Sequence, residues 1–535
     1  MNRRTAECRT AEPQKYILFL LLAFYFSLEA SSASAQVGNC EPALAEAVLD
    51  AGNVRASIYN NGALFWRGGA PLYEVPKGLG ANSIFSAGIW IGGKINGEVR
   101  TAASRYGPWE FWAGPLDAAG NPPADCAVYD NIWEIRTEDI DAYINAGEIS
   151  ENLQNWPWEL GAPVVDGDGN PDNYNLAGGD LPALLGDQRL WWIMNDRGNV
   201  HEASDSEPIG LEVHASAFAF DNPGTLGNFT FYDYKIINKN TAPLTDTFFS
   251  LFSDVDLGDF DDDYVGSDSL LNVGYVYNSD NIDRGCGVGV IPPAVGFSFI
   301  ETIPAKPDGL DNDRDGEVDE AGEMLGASSV LSNVEPHTKA KYYNVMNGRW
   351  EDGRPLLKGG NGREGWGWPN GLLMEPTKFA FSGNPVDNSF WSEVNRDGLE
   401  TPNRTGDRNL VTTTGAFDIA SGDTVDVRIA VVWSQGRDNI NSVELFQKDV
   451  TGVQNAGSAL FQSRQIADKE ESPTTEPVYT LDFSSNFPNP FSKSTTFRYS
   501  LPQSMRVRLH VYDALGREVK QLVNQEQGAG IYSVD

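Results

Sequence analysis

Short runs of β-branched and aromatic residues, each bounded by turn-forming residues, recur along most of this chain and constrain its fold more than any other feature. Examples are Phe229 to Ile237, Thr247 to Phe252 and Val425 to Trp433. Such residues favour pleated, half-buried strands, whereas the 55 glycines and 30 prolines mark turns. Asn61-Gly62 and Asn96-Gly97 supply the positive φ angles that tight hairpins need. The pattern predicts an all-β fold, with a large multi-strand β-sandwich-type region and few helices.

One segment near the end of this region has helical spacing instead. Asn441, followed three residues later by Glu444, makes a capping box that begins a helix. The apolar side chains that share one face of this helix are Val443, Phe446, Val450, Val453 and Leu460. We expect this face to pack on a sheet.

The N-terminal residues have the three regions of a secretory signal peptide. Four basic residues, the last of them Lys15, precede an apolar run from Tyr16 to Leu28, and Ala33-Ser34-Ala35 forms a cleavage pattern. The run is too short to span a bilayer, which takes about 20 apolar residues. Residues 1–35 are therefore predicted to be removed on export, which leaves no integral membrane segment.

Three cysteines remain after Cys8 leaves with the signal peptide, namely Cys40, Cys126 and Cys286. An exported protein can keep one disulfide among them, with one thiol left over. The sequence leaves the pairing open.

Charge divides the chain into regions. The sequence carries 39 basic and 75 acidic residues, a formal net charge of −36, which excludes nucleic acid and anionic membrane surfaces as main partners. Residues 483–535, in contrast, carry six basic and four acidic residues. Residues 465–482 are polar and contain two prolines, as is typical of a linker. We expect a signal peptide (1–35), an acidic β-rich main region of one or two subdomains (36–464, any boundary near 160), a linker (465–482) and a separate module (483–535).

The C-terminal module contains Pro488-Asn489-Pro490-Phe491, Leu501-Pro502, and Val511-Tyr512-Asp513 leading to Leu515-Gly516-Arg517. With these motifs in this order, it resembles the C-terminal sorting domain carried by cargo of the bacterial type IX secretion system. The resemblance implies an immunoglobulin-like β-sandwich, export across the inner and outer membranes, and the type IX secretion machinery as a partner. Members of that family continue with a further strand pair, so we expect this sequence to be a fragment with an incomplete last module.

The main region resembles a group of large, uncharacterised exported proteins that bear the same sorting domain. The shared segments include Tyr73 to Gly78, Trp90 to Gly93, Gly186-Asp187-Gln188, Asp254 to Gly258 and Asp407-Arg408-Asn409. This resemblance implies a common fold and surface export, and it implies no activity.

Three acidic segments place oxygen ligands at alternating positions, as a calcium site requires. The predicted ligands are Asp311, Asp313, Asp315, Asp319 and Glu320 in the first segment, Asp166, Asp168, Asn170 and Asp172 in the second, and Asp254, Asp256 and Asp259 in the third. The third segment continues through Asp261, Asp262 and Asp263, and so many carboxylates repel one another unless solvent or a cation screens them. The first segment departs from an EF-hand, whose twelfth position would be Gly322. The alternative for each segment is a solvated acidic loop.

Motifs for catalysis are poor in this sequence. His201-Glu202 lacks the second histidine of a zinc protease, and neither a GxSxG motif nor a phosphate-binding loop occurs. The pair of carboxylates that glycoside hydrolysis needs could come from any of 75 acidic residues. Trp366 and Trp368, in a glycine-rich loop, are weak candidates for stacking on sugar rings, although large aromatic side chains are usually core residues.

The sequence as a whole favours a secreted, calcium-stabilised structural or binding protein over an enzyme. We expect it to reach the cell surface or the medium through type IX secretion, with surface glycans or matrix as candidate ligands. The alternative is an extracellular hydrolase that acts on polysaccharide or protein.

Overall fold

The computed structural model of the protein describes residues 37–67, 70–284, 287–312, 316–319, 324, 326–363, 375–389, 391–461, 482–483, 495, 497–501, 504–512, 517–527 and 530–534. Several sequence predictions lie outside these residues, namely the signal peptide, the linker except Asp482, Cys286, Asp313, Asp315, Glu320, Trp366 and Trp368. The chain forms two compact units, Met1–Gln465 and Ile466–Asp535.

The first unit is built mainly from β-strands. In chain order these are β1 (Glu46–Leu49), β2 (Arg55–Tyr59), β3 (Ala63–Leu64), β4 (Trp66–Arg67), β5 (Ala70–Pro71), β6 (Tyr73–Glu74), β7 (Asn82–Ile84), β8 (Ser86–Ile95), β9 (Glu98–Ala103), β10 (Trp112–Ala113), β11 (Trp133–Arg136), β12 (Val164–Val165), β13 (Leu181–Pro182), β14 (Gln188–Asn195), β15 (Leu211–Ala219), β16 (Thr230–Asn238), β17 (Leu244–Asp254), β18 (Asp263–Asp268), β19 (Val273–Asn278), β20 (Ala294–Glu301), β21 (Ser329–Ser332), β22 (Leu356–Leu357), β23 (Pro376–Thr377), β24 (Asn409–Ile419) and β25 (Thr424–Ser434). The α-helices are α1 (Thr137–Ala146), α2 (Glu151–Gln154), α3 (Lys339–Met346) and α4 (Asn439–Ala456).

Two large antiparallel sheets dominate this unit. Sheet I has ten strands in the order β21-β24-β17-β8-β3-β2-β6-β7, with β1 paired to β2 and β9 paired to β8. Sheet II has nine strands in the order β10-β14-β15-β16-β25-β20-β19-β18, with β11 paired to β14. Each sheet contains strands from both sides of residue 160. The predicted all-β, sandwich-type fold is confirmed, with 39% of residues in strands and 13% in helices.

The predicted turns and strands follow from local sequence. Ile95 pairs with Glu98, and Asn96 and Gly97 have φ angles of 52° and 86°, so they form the expected two-residue hairpin. Strand β8 is buried along nearly its whole length because both of its faces are covered. Trp90 on this strand packs edge-on against Tyr342 of α3, with ring centroids 4.7 Å apart.

Helix α4 covers part of sheet II. Four of the five predicted apolar residues, Val443, Phe446, Val450 and Val453, are buried in one cluster with strand side chains such as Tyr275 and Val432. Leu460 is partly buried against the same cluster from a 3₁₀ turn, Gly457–Phe461, that follows the helix. The predicted N-cap, Asn441, was wrong by three residues. The N-cap is Asp438, whose side chain accepts the Asn441 N–H at 2.7 Å, and Asn441 instead donates to Glu444 at 2.8 Å.

One disulfide links distant parts of the first unit. It joins Cys40 to Cys126, which are 86 positions apart in the sequence. Both cysteines are buried, in a small cluster with Trp112. This settles the pairing that the sequence leaves open for these two residues.

The second unit contains β26 (Asp482–Phe483), β27 (Phe497–Leu501), β28 (Met505–Tyr512), β29 (Glu518–Gln527) and β30 (Gly530–Val534). Strands β26, β27 and β30 form one antiparallel sheet, and β28 pairs with β29. Tyr499, Leu501 and Val523 form its buried core. Val507 and Leu509 alternate with exposed arginines as expected, up to a register shift between Leu509 and His510.

Candidate calcium centre

A group of acidic side chains in the first unit lies where β17 ends and β18 begins. We call it the acidic centre, and its members are Asp254, Asp256, Asp259, Asp262, Asp263, Asp283 and Asp407. Asp254 is the last residue of β17 and Asp263 is the first residue of β18. The connecting loop turns at Gly258, which has a φ of 73°. Five of these carboxylates therefore lie close together because they belong to one short segment, residues 254–263, and this proximity needs no long-range contact.

Three carboxylates of the acidic centre are close enough to share one ion. Oxygen atoms of Asp254, Asp256 and Asp407 all lie within 4.8 Å of one another. Asp254 is 4% exposed and accepts a 2.6 Å hydrogen bond from the Tyr106 hydroxyl. Burial and the Asp254 charge both raise the pKa of Tyr106, so this hydroxyl stays a donor.

Asp263 is the most deeply buried member of the acidic centre, with 0% exposure. Its Oδ2 accepts the Leu257 N–H at 3.0 Å, whereas its Oδ1 is buried without a hydrogen-bond partner among the described residues. Burial raises the pKa of Asp263 well above its usual value, and the charges of Asp262, Asp283 and Asp256 raise it further. An ionised carboxylate in this position needs a positive charge beside it.

Asp283, from the loop after β19, is enclosed by backbone. A Cβ added to Gly258 or to Gly287 would lie 1.8 Å from an oxygen of Asp283, so glycine is required at both positions. The carboxylate accepts the N–H groups of Asp259 and Val288 at 3.2 and 3.3 Å. Burial is the main cause that raises the pKa of Asp283 to about 7.

Asp262 differs because it already has a cationic partner. Arg284 donates to its Oδ2 at 2.8 Å and Asn278 donates to its Oδ1 at 2.7 Å. Burial nevertheless raises the pKa of Asp262 to about 6, with Asp259 adding to the effect. The single ion pair with Arg284 therefore does not offset the cost of burying the ionised Asp262 carboxylate.

A buried ion pair anchors the segment that carries Asp407. Arg408 donates to both oxygens of Glu393, at 3.0 and 3.1 Å, and Glu393 also accepts the Val265 N–H of β18 at 2.7 Å. Glu393 is 1% exposed. The pair fixes the chain next to Asp407 against the strand that begins at Asp263.

Calcium takes six to eight oxygen ligands in flexible geometry, and the acidic centre supplies carboxylate oxygens from three separate segments. Of the predicted ligands, Asp254 and Asp256 come together with Asp407. Asp259 lies near Asp283 and Asp262. Magnesium is less suited to the group because it demands near-ideal octahedral geometry.

The second predicted segment forms a smaller acidic group. Oxygen atoms of Asp166, Asp168 and Asp180 lie within 4.8 Å of one another, and Asp172 is not part of this set. Oδ1 of Asp166 accepts three backbone N–H groups, from residues 168, 169 and 170. Asn170 uses its side-chain oxygen to accept the Asp172 N–H at 3.3 Å. Internal hydrogen bonds therefore account for much of the shape of this loop.

The first predicted segment is described only in part. Asp319 closes the loop from the far side, since its carboxylate accepts the N–H groups of Asp308 and Gly309 at 2.6 and 3.1 Å. Asp311 accepts the Gly316 N–H at 3.2 Å. Asp313, Asp315 and Glu320 lie outside the described residues, so calcium binding by this segment stays a prediction.

His201 has a structural environment. Its two ring nitrogens lie 2.8 and 2.7 Å from the carbonyl oxygens of Thr101 and Asp196. The carboxylates of Glu110 and Asp196 lie 3.6 and 3.8 Å from these ring nitrogens, so polar groups of the protein surround the buried ring.

Three residues of these acidic groups were missed by sequence reasoning, namely Asp180, Asp283 and Asp407. Asp407 is distant in sequence from the segment that it joins, whereas Asp180 and Asp283 follow Asp168 and Asp263 by 12 and 20 residues. The available signals were that Asp407 belongs to Asp407-Arg408-Asn409, a segment on which the predicted resemblance rests, and that Asp180 follows Gly179. Asp283 carries no comparable signal.

No helix among the described residues is both long and apolar enough to cross a membrane. No family model matches the chain, and no curated protein matches it significantly. The resemblances to the sorting domain and to exported proteins therefore stay predictions.

Proposed function

We propose that this chain is a secreted structural or binding protein of the cell surface whose first unit is stabilised by bound calcium. The observation that carries the proposal is the Asp263 carboxylate, which is fully buried, has an oxygen without a hydrogen-bond partner in the part of the chain that the structure describes, and lies near three other carboxylates. Removing an ion from water costs several kcal/mol unless a partner compensates. A bound divalent cation compensates several of these carboxylates at once.

The extracellular location supports calcium as that cation. Calcium sites of extracellular modules have dissociation constants of about 10⁻⁴–10⁻³ M, so millimolar calcium fills them. The Cys40–Cys126 disulfide suits an oxidising compartment outside the cytoplasm. The proposed extracellular location, the choice of calcium and its proposed stabilising role are therefore consistent with one another.

Calorimetric titration of the full chain with CaCl₂ tests the metal proposal. We expect binding in the wild type, and loss of at least one site or a tenfold weaker affinity in an Asp263→Asn variant. Asp261→Asn is the matched control, because Asp261 belongs to the same loop and loses the same charge but is exposed. Identical isotherms for wild type and Asp263→Asn would refute the acidic centre as a calcium site.

The C-terminal unit carries the proposal for export. Its motifs and the predicted signal peptide support delivery through type IX secretion, with that machinery as the partner. The test compares the full-length protein with a variant that lacks residues 483–535, both expressed in a host with that system. We expect the full-length protein on the surface or in the medium and the shortened variant in the periplasm. Equal export of both contradicts a sorting role.

A further inference from the structure

A cavity of about 390 Å³ lies at the other end of β17 from the acidic centre. Ala242, two residues before β17 begins, lines it, whereas Asp254 ends the strand. Eleven residues of strand span roughly 35 Å, so the two places are independent. The hairpin formed by β8 and β9 contributes Asn96 and Arg100 to the cavity wall, and Arg197 comes from the second position after β14.

Two guanidinium groups face this cavity without a carboxylate partner among the described residues. Arg100 donates to the carbonyl oxygen of Pro208 at 2.6 Å. Arg197, which is 7% exposed, donates through Nη1 to the carbonyl oxygen of Gly120 at 2.9 Å. Burial lowers the pKa of Arg197, and the nearby charge of Arg100 lowers it further, while Asp196 opposes the effect. Two arginines are thus held close together, with only neutral oxygens as hydrogen-bond partners.

Glycines make the room for the Arg197 side chain. A Cβ on Gly210 would lie 2.8 Å from Nη2 and 2.9 Å from Nε, and Gly210 has a φ of 95°. A Cβ on Gly120 would lie 3.1 Å from Nη1. The guanidinium therefore occupies a defined position in the cavity wall.

Several other cations among the described residues form ion pairs. Acidic residues outnumber basic ones by 75 to 39. Half-buried Arg428 binds Asp233 at 2.6 and 3.0 Å, and exposed Lys306 lies 2.7 and 2.6 Å from carboxylates of Asp246 and Asp418. In contrast, neither Arg100 nor Arg197 forms an ion pair with a carboxylate among the described residues, although the charge of Asp196 acts on Arg197.

The remaining lining favours a small organic anion. Lys239 adds a third cation, although its Nζ also lies 3.5 Å from a carboxylate oxygen of Glu212. Exposed Glu207 supplies the one carboxylate among the described residues of the cavity wall. The apolar residues on the wall are Val37, Ile95, Pro208, Ala119 and Ala242. The volume falls within the range of small-molecule sites and exceeds what an inorganic ion needs.

We propose that this cavity binds an anionic ligand of monosaccharide size, whose carboxylate or phosphate group lies between Arg100 and Arg197. Paired guanidinium groups offer planar donors that match such oxyanions, and the apolar wall covers the carbon skeleton. This site is independent of calcium and of the route of export.

Calorimetric titration of the full chain with four probes at one ionic strength tests this proposal. The probes are glucuronate, glucose 6-phosphate, neutral glucose and inorganic phosphate. We expect at least one of the two charged sugars to bind at least tenfold more tightly than glucose, and the comparison between them separates carboxylate from phosphate. Arg100→Gln and Lys239→Gln, both at partly exposed positions, should weaken that binding at least tenfold and threefold, respectively.

Arg55→Gln is the matched control, since Arg55 is exposed and does not line the cavity. Its affinity should equal that of the wild type. Arg100→Gln is compared only after its thermal midpoint is shown to match the wild type. No binding by either charged sugar, binding of inorganic phosphate alone, or equal affinity in wild type and Arg100→Gln would each overturn the proposal.

Discussion

Removal of calcium should make the stability of the first unit depend on pH. In the metal-free protein, burial raises the pKa of Asp283 to about 7 and the pKa of Asp262 to about 6. The same groups titrate near 4 in the unfolded chain. Between these values the folded state binds more protons than the unfolded state. The resulting stabilisation is complete below about pH 4 and is lost as the pH rises through 6 and 7.

The size of this effect follows from the difference between the two pKa values. A tenfold change in a protonation constant corresponds to about 1.4 kcal/mol. For Asp283 alone, the free energy of unfolding should therefore fall by about 2–3 kcal/mol between pH 5 and pH 8. Its side chain is 3% exposed, so solvent screens little of this cost. Because Asp262 interacts with Asp283, the two contributions do not simply add.

Calcium should oppose this loss, because it binds the ionised carboxylates. At 5 mM calcium and a dissociation constant of about 0.1–1 mM, the gain at pH 8 is about 1–2 kcal/mol. The entropy of unfolding is about 2 cal/mol/K per residue, so a unit of roughly 430 residues gains about 1–3 °C in its thermal midpoint.

Scanning calorimetry from pH 5 to pH 8, in EDTA and in 5 mM CaCl₂ at equal ionic strength, measures both effects. We expect the midpoint to fall with pH in EDTA and to fall less in calcium. Asp283→Asn should flatten the EDTA curve, whereas Asp261→Asn should leave its slope unchanged. Parallel curves in EDTA and calcium, or an unchanged slope in Asp283→Asn, would refute this reasoning.

Three further substitutions test the buried His201 ring, the glycine beside Asp283 and the disulfide. His201→Phe should lower the free energy of unfolding by about 1–3 kcal/mol in denaturant titrations, because it removes the ring nitrogens that lie beside the buried carbonyl oxygens of Thr101 and Asp196; an unchanged free energy of unfolding would contradict this structural role. Gly258→Ala should destabilise the protein and weaken calcium binding, because the new Cβ would collide with Asp283. Gly97→Ala, at a similar φ angle but in open space, should show only the backbone cost of about 1 kcal/mol, and equal effects of the two changes would argue against the collision. Cys126→Ser should lower the thermal midpoint under oxidising conditions and make the midpoint insensitive to reductant. The free energy of unfolding should fall by at most about 4–5 kcal/mol, which is the stabilisation from closing the loop in the unfolded chain. An unchanged midpoint would show that the disulfide does not restrict the unfolded chain.

Much of the fold was predictable from local sequence. Alternation, turn residues and helical spacing report on contacts within one strand, hairpin or helix, and the hairpin at Asn96-Gly97 and the buried face of α4 were predicted on that basis. The cap at Asp438 was missed because it lies three residues before Asn441, the first residue of the apparent capping pair. Asp438 lies outside the apolar pattern, so its role is identified by the backbone geometry and by the hydrogen bond that its side chain accepts from the Asn441 N–H.

The acidic centre was only half predictable, for a reason that lies in strand register. Antiparallel pairing places Asn409 opposite Asp254, so Asp407, two residues before β24, arrives at the end of β17. In the same way Asn278 lies opposite Asp263, which brings the following loop and Asp283 to the start of β18. The first pairing joins residues 155 positions apart and the second joins residues 15 positions apart, and neither register leaves a trace in local composition. The segment that contains five of the aspartates was visible, and its partners were not.

The last two strands of the first unit are interior strands. Strand β24 lies between β17 and β21, and β25 lies between β16 and β20. A growing polypeptide therefore cannot complete either sheet until about residue 434 has been synthesised. The mean sequence separation between residues that pair in these sheets is large, which slows folding. Under the export that we propose, this order of assembly is an advantage, since the chain stays extensible until almost all of it has crossed the inner membrane.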